Sequence, residues 1–279
     1  MAAVLPAAKR TANGSDQFEV VMISRFLLAA LALMFVMATA NADQRWQRVE
    51  AVTQALDNRV PELEGLSLEL PLVAEDGSSV ALSVSFTGSL EDGEHIEKIR
   101  LFAPGNPRPE VADITLGPLA SPANIATRIR LSETQQVVAL AITNQDRAFL
   151  TTRDVRVTVS GCLVGGGDAS AMAMANPRLA LAGSVRQGQP VTVRSLINHP
   201  METGLRPDGQ ADDSIEQQLV ESLTATLNDE PVLTARFFTG TSANPYLQFQ
   251  LTPEEEGELK LVWQDQKGEQ MEASQPVRF

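Results

Sequence analysis

The chain has 279 residues and a formal net charge of −13, long enough for two ordinary domains, and a surface this acidic argues against nucleic acid or anionic lipid as partners. Hydrophobic residues make up 43% and aromatics 5%, so a packed core is affordable throughout. The single cysteine, Cys162, excludes an internal disulfide and leaves two readings, a buried inert thiol or a reactive one.

The chain opens on an apolar run, Phe26–Ala38, of 13 residues, shorter than the roughly 20 a membrane-spanning helix needs. Arg25 precedes it and Ala40-Asn41-Ala42 follows with small-x-small spacing, so residues 1–42 read as a signal peptide. A start at Met22 keeps Asp16 and Glu19 out of what should be a basic region, and the mature chain is expected to begin at Asp43. The expected product is exported, without a membrane anchor after processing. Losing residues 1–42 removes three basic and two acidic residues and takes the net charge to −14.

Residues 43–62 hold Trp46, Val49, Val52 and Leu56 at helical spacing, a short amphipathic helix ending before Pro61. The period then changes to two. Val80, Leu82, Val84 and Phe86 alternate with small polar residues, and Ile96–Phe102, Val111–Leu116, Ile125–Leu131, Gln136–Thr143 and Phe149–Val159 read as further strands. Asp76-Gly77, Asp92-Gly93, Pro104-Gly105-Asn106-Pro107 and Gly117-Pro118 supply the turns. Short strands with no helix between them predict an antiparallel sandwich over residues 63–159. Residues 160–176 are rich in Gly, Ala and Ser and read as a linker carrying Cys162. Residues 177–279 return to strands, at Leu179–Ala182, Val191–Ile197, Leu219–Leu227, Val232–Phe238, Tyr246–Leu251, Glu258–Trp263 and Met271–Phe279, with Asn228–Pro231 as a turn. The fold class expected is all-β, two antiparallel sandwiches joined by a Gly/Ala-rich linker.

Catalytic signatures are sparse. No phosphate loop, dinucleotide fingerprint or nucleophile elbow occurs. His95 lies among Glu91, Asp92, Glu94 and Glu97, a solvated charged turn, and His199 with Glu202 gives H-x-x-E, too little for a metal site. Cys162 stands apart. The alternating Val155, Val157 and Val159 deliver the chain to Gly161 and the thiol follows at once, with Gly165, Gly166 and Gly167 beyond. A structural cysteine belongs inside a strand, whereas glycine neighbours remove bulk and free the backbone to enter a narrow pocket.

Asn198-His199-Pro200-Met201-Glu202-Thr203-Gly204 and Ser242-Ala243-Asn244-Pro245-Tyr246-Leu247 resemble the SoxZ subunit of the bacterial sulfur-oxidation carrier. Val73–Gly77, Leu101–Pro107, Thr127–Leu131 and the Val155–Cys162 stretch resemble SoxY, and together the likeness covers nearly all of residues 63–279. It implies a natural SoxY–SoxZ fusion of two immunoglobulin-like sandwiches, acting as a carrier and not an enzyme, with no cofactor of its own. It further implies that Cys162 is the covalent attachment point for thiosulfate-derived sulfur and that Gly161, Gly165, Gly166 and Gly167 give the arm its freedom. His199 and Glu202 fall on an interface turn or on a merely structural one. The partners implied are a c-type haem enzyme that conjugates thiosulfate to the thiol and a metal-dependent hydrolase that releases sulfate. An alternative group of fused SoxYZ-like proteins accompanies periplasmic quinoprotein (alcohol) dehydrogenases. The arm departs from the family's free Gly-Gly-Cys-Gly-Gly tail: Leu163 and Val164 follow the cysteine, and the chain runs on into the second half.

Overall fold

In the computed structural model the described residues are 44–160, 173–205 and 216–279. The N-terminal helical pattern is split in two, a 3-10 turn at Arg45–Arg48 and a helix α1 at Glu50–Leu56. Val49 between them sits in extended backbone, with φ −92° and ψ 105°. Helix α1 stops at Asp57, whose left-handed backbone lets its N–H reach the carbonyls of Thr53 and Gln54.

Eight strands follow in the first half: β1 Leu66–Glu69, β2 Val73–Asp76, β3 Val80–Phe86, β4 Ile96–Phe102, β5 Glu110–Leu116, β6 Asn124–Ile129, β7 Gln135–Thr143 and β8 Ala148–Val159. Seven follow in the second: β9 Ala175–Ala182, β10 Val191–Asn198, β11 Val220–Leu227, β12 Glu230–Phe237, β13 Tyr246–Leu251, β14 Gly257–Asp265 and β15 Gln270–Val277. The β11–β12 hairpin turns on Asn228 and Asp229, both at positive φ (51° and 66°), as a two-residue turn that matches strand twist requires.

Each half is a sandwich of two layers, and the layers of the two halves join edge to edge. The six-stranded sheet runs β1-β3-β6-β13-β10-β9 and the nine-stranded sheet β15-β14-β11-β12-β5-β4-β7-β8-β2. In the first, β6 meets β13 with Thr127 opposite Leu247; in the second, β5 meets β12 from Ala112–Phe237 to Leu116–Leu233. All pairings are antiparallel except β2 with β8, at the edge of the larger sheet. One apolar core runs through both halves, from Leu66 and Val84 to Phe249, Leu261 and Trp263. A second, smaller core lies on the outer face of the nine-stranded sheet. There Trp46, Val52 and Leu56 of the N-terminal segment cover Phe102, Val138, Leu140, Ile142 and Leu150. Strand β7 is therefore buried along its whole length on both faces, which explains why Val137 and Val138 are both apolar where alternation predicts one.

Candidate functional site

Cys162, Gly161, Gly165, Gly166 and Gly167 lie outside the described residues; what the structure describes is the frame from which their segment departs and to which it returns. On the departing side, β8 ends at Val159, whose carbonyl accepts the N–H of Gly77 at 2.8 Å, while the Gly77 carbonyl accepts the N–H of Leu131 at 2.8 Å. The turn that presents Gly77 is fixed by Asp76, whose carboxylate accepts the Ser78 N–H at 2.7 Å and its hydroxyl at 2.8 Å. Those two bonds, the backbone one first, hold the Asp76 carboxyl below its ordinary pKa. On the returning side, Met174 is buried and Ala175 pairs with Asn198, the residue before His199.

The segments whose sequence stood out converge between these two anchor points. The amide hydrogen of Arg130 bonds to the Gly240 carbonyl across the junction at 2.7 Å. Its guanidinium is buried and donates to the carbonyls of Met201 at 2.6 Å and Pro200 at 2.8 Å. A buried cation facing carbonyl dipoles makes charge-assisted bonds worth about 1.5–3 kcal/mol each, so this side chain adds to the strand pairings and shared core that join the two halves. The gripped turn is locked in its own right. His199 and Asn244 exchange backbone and side-chain bonds, His199 N–H to Asn244 Oδ1 at 3.0 Å and Asn244 N–H to the His199 carbonyl at 2.7 Å. The His199 ring takes the Met201 N–H on Nδ1 at 3.0 Å, and Glu202 Oε1 takes the Gly204 N–H at 2.9 Å. Met201 sits at φ 54° with its sulfur accepting the Val220 N–H at 3.3 Å. Below Arg130, Asn106 donates to the Arg130 carbonyl at 2.8 Å and accepts from the Ser132 and Gln135 side chains.

His199 and Glu202 thus lie together at the junction, both 2% exposed and both bonded to backbone. Arg130, which holds their turn from the other half, was not singled out by sequence. Its only signal was its place in Thr127–Leu131, where Ile125, Thr127 and Ile129 face the core on alternate positions and a charged residue follows. The expectation for His95 needs correction in its surroundings. Glu94 beside it is not solvated: its side chain is fully buried and paired with Arg147 at 2.7 Å, while His95 exchanges backbone bonds with Asn144. Among the described residues no group of three or more His, Cys, Asp or Glu side chains could hold a metal ion, and no helix is long and apolar enough to cross a membrane.

The geometry defines an all-β protein of two immunoglobulin-like sandwiches sharing both sheets. The profile of sulfur oxidation protein SoxY matches residues 50–162 and that of sulphur oxidation protein SoxZ matches residues 154–276. Among solved structures the chain is similar to the sulfur carrier protein SoxY from Chlorobium limicola f thiosulfatophilum, at 22% identity over 39% of this chain and 94% of that one, with a TM-score of 0.34. A superoxide reductase (neelaredoxin) from Ignicoccus hospitalis matches at 18% identity over 39% of this chain and 87% of its own, TM-score 0.30. A marsupial T cell receptor matches at 12% over 76% and 71%, TM-score 0.24. No curated protein matches. The chain belongs to the SoxY and SoxZ families, as a fusion of the two in one polypeptide. Its role is that of a sulfur-oxidation carrier, a class of protein that partner Sox enzymes act on.

Proposed function

We propose that this chain is a periplasmic carrier that holds thiosulfate-derived sulfur covalently on Cys162 and presents it to the enzymes that load and process it. The observation that carries the reading is that the SoxY match ends at residue 162, the position of the chain's sole cysteine. The frame around that position supports it. Cys162 follows Val159 by three residues, so the thiol lies within about 10 Å of the end of β8, the length of three extended residues. A thiolate is the bond-forming species, and a tethered intermediate reaches successive active sites without diffusing away. The loading partner is then a c-type haem enzyme and the releasing partner a metal-dependent hydrolase. Export by way of residues 1–42 puts the carrier in the same compartment.

Intact-mass spectrometry of the protein purified from cells oxidising thiosulfate tests this. A thiosulfonate or polysulfane adduct is expected on Cys162 and absent from Cys162→Ser, whose cells lose thiosulfate oxidation while the folded protein persists. Full thiosulfate oxidation by Cys162→Ser cells overturns the reading.

A further inference from the structure

The outer face of the six-stranded sheet carries a shallow concavity of about 520 Å³ that both halves build. Leu70, Pro71, Ala81 and Ala126 supply its apolar floor and wall, and Arg128 and Tyr246 its polar side, with Glu69 at the rim, where no ion pair among the described residues links it to Arg128. Arg128 comes from the SoxY half and lies over the ring of Tyr246 from the SoxZ half, 5.2 Å from guanidinium carbon to ring centroid. Other arginines around concave surfaces are spent, Arg59 on Asp146 and Arg100 on Asp113. Arg128 is exposed and forms no ion pair among the described residues.

A run of backbone contacts joins the concavity to the root of the cysteine segment. Arg128 pairs with Ala81 across β6 and β3; three residues on, the Leu131 N–H bonds to Gly77, and Gly77 bonds to Val159. The surface between is apolar and open to solvent: Leu72, Val73 and Val159 are 68%, 51% and 59% exposed. An enzyme that reaches a thiol three residues beyond Val159 comes within about 10 Å of Val159, where this exposed apolar surface faces it. Arginine and tyrosine over an apolar floor are the residue types that dominate binding energy at protein interfaces, and one concavity with a few apolar side chains suits a contact that forms and releases.

We propose that this concavity, with Arg128 and Tyr246 at its centre, is the docking site for the hydrolase that acts on the loaded cysteine segment, which offers it an apolar side chain for the floor and a carboxylate for Arg128. The proposal rests on the carrier reading for the choice of partner. Ala81 is an exposed strand residue that points into the concavity, so Ala81→Trp fills the site without emptying the core, and Arg128→Ala removes the cation. With carrier loaded on Cys162 and the purified hydrolase, both variants are expected to raise KM by about tenfold, the loss of one modest hot spot. kcat and the rate at which the free thiol reacts with a small disulfide reagent stay at wild-type values. Unchanged KM in both variants overturns the proposal. So does sedimentation showing that the wild type is a dimer which Ala81→Trp dissociates, since the face then belongs to a second copy. Calorimetric binding of unloaded carrier to the same enzyme separates the two readings. Wild-type binding by Cys162→Ser with loss in Ala81→Trp supports the docking site. The same result with a Cys162 that takes no adduct overturns only the carrier reading.

Discussion

A single buried carboxylate shows how much of this fold is held by charges that the sequence presents as surface. Burial works to raise the Glu94 carboxyl, but the Glu91 N–H, the Thr143 hydroxyl and the Arg147 guanidinium together outweigh it and hold its pKa below the ordinary carboxylate value of 4.5. Arg147 is spread over two acids, Glu94 and Glu62, and stacks over Phe149 at 5.0 Å. A carboxyl depressed on folding stabilises the native state above its unfolded pKa and loses that contribution as pH falls through the folded value. Wild-type Tm is therefore expected to drop more steeply below about pH 4.5 than that of Glu94→Gln, the two lying apart at pH 7 and converging in acid; parallel Tm–pH curves contradict this. The run Glu91–Glu97 gave no warning of it. Five charged or titratable residues in seven read as solvated, and only the partner Arg147, some fifty positions away, makes burial of one of them tolerable.

At the scale of elements, the long alternating strands were legible. β3, β4 and β13 have the bounds their periodicity predicts, because one face of each is buried and the other is not. The strands sequence missed are β1 and β2, four residues each. Val73–Asp76 carries two acids and buries only Ala74, so its pairing with β8 comes from backbone bonds and not from a face. Two glycines also acquire reasons that no pattern discloses. A Cβ on Gly117 would lie 2.5 Å from the Pro231 carbonyl oxygen, and one on Gly240 would lie 2.8 Å from Val111 Cγ2. Both sit where one half crosses the other, Gly117 N–H bonding to the Val232 carbonyl at 2.7 Å. Gly117→Ala is expected to destabilise the protein by about 1–3 kcal/mol through forced separation of β5 and β12, read as a lower denaturant midpoint with little change in slope. A wild-type midpoint contradicts it.

For the whole molecule, composition and the motif blocks disclosed an all-β carrier of two sandwiches, and the structure adds how they are joined. The blocks that carried the family likeness meet at one place: Asn106, Arg130, Met201, His199 and Asn244 are linked through consecutive hydrogen bonds. Sequence could not reveal this because contacts across the junction join residues 71, 119 and 130 positions apart through backbone carbonyls, which leave no trace in side-chain pattern. Two continuous sheets and one shared core predict a single cooperative unfolding transition for the described body, with calorimetric and van't Hoff enthalpies that agree. Two resolved transitions contradict that. The edge-to-edge join has one more consequence. The pairing edges of β5 and β6 are taken within the chain by β12 and β13, and a covalently attached partner is present at an effective concentration on the order of millimolar. Exchange of halves with separately made subunits is therefore disfavoured, and assembly does not depend on balanced synthesis of a pair: the stoichiometry is written into the polypeptide.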